Sequence, residues 1–147
     1  PPTFDSNAAA DVILRSSDSV DFFVIELLCH VSHVFQDMIS LNRGEAAQHN
    51  QMKDQLPIAP IPEDSETLRN LLLLIYPYVD DPMISNAALY LKLGRMAQKY
   101  CMDVVDVKLQ KLLFASPLVT QDPFRIYVIA VQLKWDQVSR LAASNTL

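Results

Sequence analysis

Glycine is nearly missing from this chain. Only Gly44 and Gly94 stand among 147 residues, whereas a phosphate-cradling loop needs several residues without Cβ so that backbone N–H groups can approach the anion. Both the dinucleotide fingerprint and the P-loop are excluded on that ground. Cysteine is as scarce. Cys29 and Cys101 are too few and too far apart for a disulfide framework, and their apolar neighbours predict two buried free thiols in a reducing, intracellular setting, cytoplasm or nucleus. A basic stripe is also lacking: 12 Lys and Arg against 17 Asp and Glu give a net charge of −5, with the signs read as scattered. Without such a stripe the chain displaces no counterions from nucleic acid and finds no electrostatic hold on an anionic membrane. No uninterrupted apolar run is longer than Leu71 to Tyr76, which is far short of a membrane span. No basic-then-apolar leader opens the sequence, so no secretion signal is expected.

Half of the residues are hydrophobic, more than an ordinary soluble domain carries, which predicts either a leucine-rich helical core or an apolar patch reserved for a partner. Residues 1–9 (PPTFDSNAA) are polar and proline-led and read as a flexible tail. "DVILR" and "VDFFVI", joined by polar "SSDS", predict a β-hairpin over Asp11 to Ile25. Ser32 is placed to cap a short helix through Ile39. Asn42 to Gln55 has no period and reads as a long loop, and "LPIAPIP" alternates but carries three prolines, so an edge strand is its most.

The remainder is helical. Asp64 or Ser65 caps a helix with Leu68, Leu71, Leu72 and Ile75 on one face, stopped by Pro77. A second helix, Asn86 to Tyr100, turns Leu89, Leu93, Met96, Ala97 and Tyr100 inward. A third, capped by Asp103, carries Val105, Leu109, Leu112 and Leu113. Asp122 before Pro123 starts a fourth, with Ile126, Ile129, Ala130 and Leu133 inward, and Asp136 starts a last one bearing Val138, Leu141 and Ala142. The order predicts an α+β fold: a small mixed β-sheet flanked by a helical cluster, with two extra helices at the C-terminal end. No internal repeat is legible.

Candidate chemistry is thin. Cys29, His30 and His33 have a metal-like spacing, but zinc needs four ligands and no Cys-x-x-Cys pair supplies the rest. Asp80 and Asp81, like Glu63 and Asp64, are adjacent carboxylates in turn and cap positions and do not face across a cleft. No nucleophile-elbow pattern occurs. The expectation is a chain that is not an enzyme, with no catalytic, cofactor-binding or metal-ligating residues.

Taken in order, "DVILRSSDSVDFFV", "SHVFQDMIS", "LPIAPIPEDSETLRNLLLLIYP" and "AALYLKLGRMAQKYCMDVV" resemble the BTB/POZ domain. The end, "DPFRIYVIAVQLKWDQVSRLAASNTL", is similar to the tail of BTB proteins of basidiomycete fungi. The resemblance implies a BTB/POZ domain over residues 10–118 and a helical extension over 119–147 packed on it. It also implies a module for self-association, such as a homodimer, and for docking other proteins. Two further roles are implied for such modules: substrate adaptor of a cullin-type ubiquitin ligase, and dimerising part of a transcription regulator. Six residues are carried over as interaction candidates. Asp11 aligns with the acidic residue near a basic partner in dimerising relatives, and Glu26 stands where that basic residue is usual, so like charges meet. Phe35, Met38 and Tyr76 mark the face on which a cullin would dock. Glu45 is the glutamate nearest to the family's hydrophobic-x-Glu segment, with Arg43 two positions before it in place of an apolar residue. A rival class, a small-ligand binder, requires a pocket of converging polar side chains.

Overall fold

The computed structural model describes Phe4 and residues 10–24, 30–41, 52–53, 56–76 and 80–146. Within these the chain is α+β. Strands β1 (Val12–Arg15) and β2 (Asp21–Val24) are followed by helix α1 (His33–Leu41), strands β3 (Met52–Lys53) and β4 (Leu56–Pro60), and helices α2 (Ser65–Ile75), α3 (Ala87–Lys99), α4 (Asp103–Phe114), α5 (Leu118–Gln121), α6 (Pro123–Leu133) and α7 (Asp136–Asn145). The chain forms two compact units, residues 1–81 and 82–147. The division expected at residue 118 therefore falls inside the second unit, because α6 packs on α3 and α7 on α4.

In the first unit the strands lie in the order β2-β1-β4-β3. β1 and β2 form the expected antiparallel hairpin, with Ile13 opposite Phe23 and Leu14 opposite Phe22. β4 is not an edge strand. It runs parallel to β1, Ile13 beside Ile58 and Leu14 beside Ala59, and pairs antiparallel with β3 on its other side. The prolines are tolerated because they avoid the donor positions of the parallel ladder: Pro57 precedes the first paired residue, and the Ile61 N–H, just past Pro60, donates to the Arg15 carbonyl at 2.9 Å. β3 lies within the segment read as a loop; its pairing is made by backbone, which no apolar alternation announces.

Residues of both parities on the hairpin are buried: Ile13 and Phe23 pack with Ile58, while Val12, Leu14, Phe22 and Val24 are also closed from water. A sheet buried on both faces reads as a continuous apolar run. Phe4 departs from the expected flexible tail. It is 4% exposed, its carbonyl accepts from the Phe23 N–H at 2.7 Å, and its ring meets Tyr76 edge-on at 5.0 Å.

The turn between β1 and β2 is tied to α2. The Asp18 carboxylate accepts hydrogen bonds from the Ser16 hydroxyl (2.7 Å), the Ser65 N–H (2.8 Å) and the Ser65 hydroxyl (2.5 Å). Asp64 caps the same helix end by accepting from the Thr67 N–H at 2.8 Å. The first amides of a helix lack partners within it, and here two carboxylates supply them. Those bonds hold the Asp18 carboxyl down from 3.8 to about 2. Arg15 and Asp21 close the base of the turn with a two-point pair, Nε to Oδ1 at 2.7 Å and Nη2 to Oδ2 at 3.0 Å.

The second unit contains two helical hairpins with one burial pattern. Leu93, Met96, Ala97, Tyr100, Met102, Val105 and Leu109 in α3 and α4 correspond to Ile126, Ile129, Ala130, Leu133, Trp135, Val138 and Ala142 in α6 and α7, and all are buried. Each first helix ends in the same backbone motif. Cys101 (φ 55°) and Lys134 (φ 61°) take the left-handed conformation. The next amide reaches back five residues: Met102 N–H to the Ala97 carbonyl at 2.7 Å, and Trp135 N–H to the Ala130 carbonyl at 2.8 Å. This Schellman closure turns residue 101 outward and sends residue 102 into the core. Cys101 is thus exposed, against the expectation of a buried thiol; Cys29 lies outside the described residues. Asp103 sits in the first turn of α4 without making a capping bond, and Met102 occupies the N-cap position.

Gly94 lets the hairpins approach. A Cβ there would stand 2.5 Å from Leu133 Cδ1 and 3.1 Å from Trp135 Cζ2. Trp135, which stands between α6 and α7 in the chain, is 1% exposed, and its indole Nε1 donates to Asp106 Oδ1 on α4 at 3.0 Å.

Candidate functional site

The six interaction candidates do not assemble into one described face. Phe35 is fully buried, because Ser32 caps α1 (Phe35 N–H to Ser32 Oγ, 3.1 Å) and turns residue 35 inward. It serves the core and offers no surface to a partner. Met38 and Tyr76 are half-buried, and Asp11 is exposed, its N–H bonded to the Val24 carbonyl at 2.9 Å. Glu26 and Glu45 lie outside the described residues. Among the described residues no group of three His, Cys, Asp or Glu gathers, and no helix is long and apolar enough to cross a membrane.

The surface feature that sequence reading passed over is the outer face of α6. Pro123 starts the helix at its first turn, where the missing N–H costs nothing, and Ile126, Ile129, Ala130 and Leu133 face inward as expected. The opposite face should be polar on an ordinary surface helix. Instead Phe124 is 71% exposed, Tyr127 40%, Val128 38% and Val131 51%. These four recur at i, i+3, i+4 and i+7, a second apolar stripe on one helix. The signal is present in "PFRIYVIAVQL", which carries a second apolar stripe opposite the inward one, with Arg125 and Gln132 on one flank between them. Tyr127 belongs to the exposed stripe.

α4 carries a smaller apolar surface. Val104, Val107 and Phe114 are exposed, and a pocket of about 240 Å³ is lined by Val107, Gln110, Lys111 and Phe114 of α4 with Gln137 and Val138 of α7. Two amides and one ammonium border it, with no carboxylate, imidazole or thiol, so its lining lacks a nucleophile paired with a base. In the same unit burial raises the Tyr90 phenol, which the Ser116 hydroxyl partly offsets. That pairing packs a core tyrosine beneath the surface and brings no reactive group to the pocket.

The charges are not scattered. Residues 1–81 hold 4 of the Lys and Arg and 13 of the Asp and Glu, a net −9, whereas residues 82–147 hold 8 and 4, a net +4. The whole-chain charge of −5 hides this because the two net charges have opposite sign and partly cancel. On α3 the exposed positions Lys92, Arg95 and Lys99 form a cationic row. Arg95 Nη2 donates to Gln132 Oε1 on α6 at 3.4 Å, and Gln98 Nε2 donates to the Leu133 carbonyl at 2.8 Å. The basic row of α3 therefore runs up to the flank of α6 that carries Gln132. An apolar stripe beside fixed positive charge can exclude water from a partner and select that partner's sign. No protein-family model matches this sequence, and no curated protein matches it.

Proposed function

We propose that this chain is a protein–protein interaction module of the BTB/POZ kind, acting through its exterior by docking a partner protein or by self-association. The observation that carries the reading is the stripe of Phe124, Tyr127, Val128 and Val131, four large apolar side chains held in water on the outside of one helix. Leaving such side chains partly in water forgoes a share of the about 1.5–3 kcal/mol that full burial of each would give, and contiguous apolar surface of this kind marks an interaction site. The BTB/POZ assignment is supported by element order: hairpin, capped helix, a strand returning parallel to β1, then paired helices. An adaptor role toward a cullin, or a role as the dimerising part of a regulator, would be a use of the same module. Fold likeness alone does not assign either one.

The test compares the wild-type chain with the double variant Phe124→Glu/Val131→Glu. Both side chains are exposed, so the core is untouched. Capture from a cell extract and light scattering over a concentration series are run on each. Partners, or a mass above the monomer, retained by the wild type and lost in the variant support the reading. Identical capture and identical mass for both would remove it.

A further inference from the structure

We propose that the outer face of α6 seats an acidic amphipathic helix of another protein. The inference rests on the interaction-module reading above and adds the chemistry of the partner. Phe124, Tyr127, Val128 and Val131 span seven residue steps, roughly 10 Å at about 1.5 Å per residue. That is a two-turn seam one helix wide, the footprint left by a partner helix presenting apolar residues at i, i+3, i+4 and i+7.

Charge chooses among the helices that could lie there. Arg125 and Gln132 sit seven positions apart on one flank of the stripe and are both exposed. The Arg95–Gln132 hydrogen bond places α3 along that flank, and Lys92 and Lys99 stand one turn to either side of Arg95 on its exposed face. Neither α3 nor α6 contains a single Asp or Glu. In sequence Asp122 adjoins the N-terminal end of α6, and Lys134 and Asp136 follow its C-terminal end. The apolar seam is thus bordered by Lys92, Arg95, Lys99 and Arg125, a border that attracts carboxylates and repels ammonium groups.

A second copy of this chain meets the geometry less well. A two-fold antiparallel pairing of α6 with α6 sets each flank against its own equivalent, so the Arg125 flank of one copy meets the Arg125 flank of the other. A parallel pairing sets the same cations against the opposite flank of α6, which offers no carboxylate. The acidic first unit offers the right sign of charge, but among its described residues the only exposed large hydrophobic is Val20, so it has no apolar seam to bring. A separate helix with both apolar and acidic positions satisfies both requirements.

The test titrates fluorescein-labelled synthetic helices of about four turns against the full chain. One carries Leu at i, i+3, i+4 and i+7 with flanking Glu, the second has Lys for each Glu, and the third keeps the Glu composition with the leucines scattered. The Glu helix should bind at least about tenfold tighter than the Lys helix near 0.05 M salt, the ratio should shrink near 0.5 M, and Arg95→Glu/Arg125→Glu should reverse the preference. The scattered helix should bind weakly, and Val131→Glu should abolish binding of the first. Equal affinity for the Glu and Lys helices would overturn the charge assignment while leaving an apolar docking face intact. Equal affinity for the ordered and scattered Glu helices would overturn the seam. Tighter binding to phosphatidylserine vesicles than to the Glu helix would assign the face to lipid. A dimer dissolved by Val131→Glu would assign it to a second copy.

Discussion

Asp18 shows how much one exposed side chain can organise. Three donors converge on its carboxylate and keep it ionised to about pH 2. Its folded-state value lies below its unfolded one, so its contribution is complete above about pH 4 and is lost as the pH falls toward 2. The denaturation midpoint of the wild type should fall more steeply than that of Asp18→Asn over that window, and the two should converge at its lower end. Parallel curves from pH 5 to pH 2 would remove Asp18 as the cause. Trp135 makes the opposite kind of contribution, from inside. Its indole N–H is bonded to a carboxylate that also accepts from Gln110 Nε2 at 2.9 Å. Trp135→Phe should cost about 2 kcal/mol in urea unfolding, from the lost bond to a charged acceptor and the unfilled volume.

At the scale of elements, local signals were legible and cross-chain ones were not. Ser32, Asp64 and Asn86 were readable as helix starts because a cap is a bond between near neighbours. The inward faces of α3 and α6 followed from their period. β4 misled because two prolines argue for an edge, while the parallel partner that makes it interior lies some forty residues upstream. The twin hairpins of the second unit were invisible because the repeat survives in burial and not in letters: Met102 answers to Trp135 and Tyr100 to Leu133. The α6 stripe was missed for a different reason, since a helix with two apolar stripes offers two faces and the period cannot say which is outward. Gly94 is the element-scale constraint on that packing. Alanine there improves helix propensity by about 1 kcal/mol, yet its Cβ would intrude on Leu133, which is buried at 2% exposure. Gly94→Ala should therefore lower stability by about 1–2 kcal/mol in chemical denaturation; a stabilised variant would show that α3 and α6 can separate without loss.

Over the whole molecule the two units differ in how far apart their contacts lie along the chain. The densest packing of the second unit joins consecutive helices, α6 with α7 and α3 with α4, whereas the central sheet of the first joins Ile13 to Ile58. Distant pairings are formed late because the intervening chain must be closed before they repay it. In pulse-labelled hydrogen exchange, amides of Ile129 and Ala130 should gain protection before those of Ile58 and Ala59. Simultaneous protection would mean the two units fold as one cooperative step.

The parallel strand has one more consequence, for synthesis. A ribosome releases β1 and β2 long before β4, so the nascent hairpin waits with the side of β1 that will receive β4 unpaired and its isoleucine and phenylalanine uncovered. Until residues near 60 emerge, that ribbon is a template for any extended strand in reach, and the acidic surplus of the same stretch opposes such mispairing through repulsion between neighbouring nascent chains.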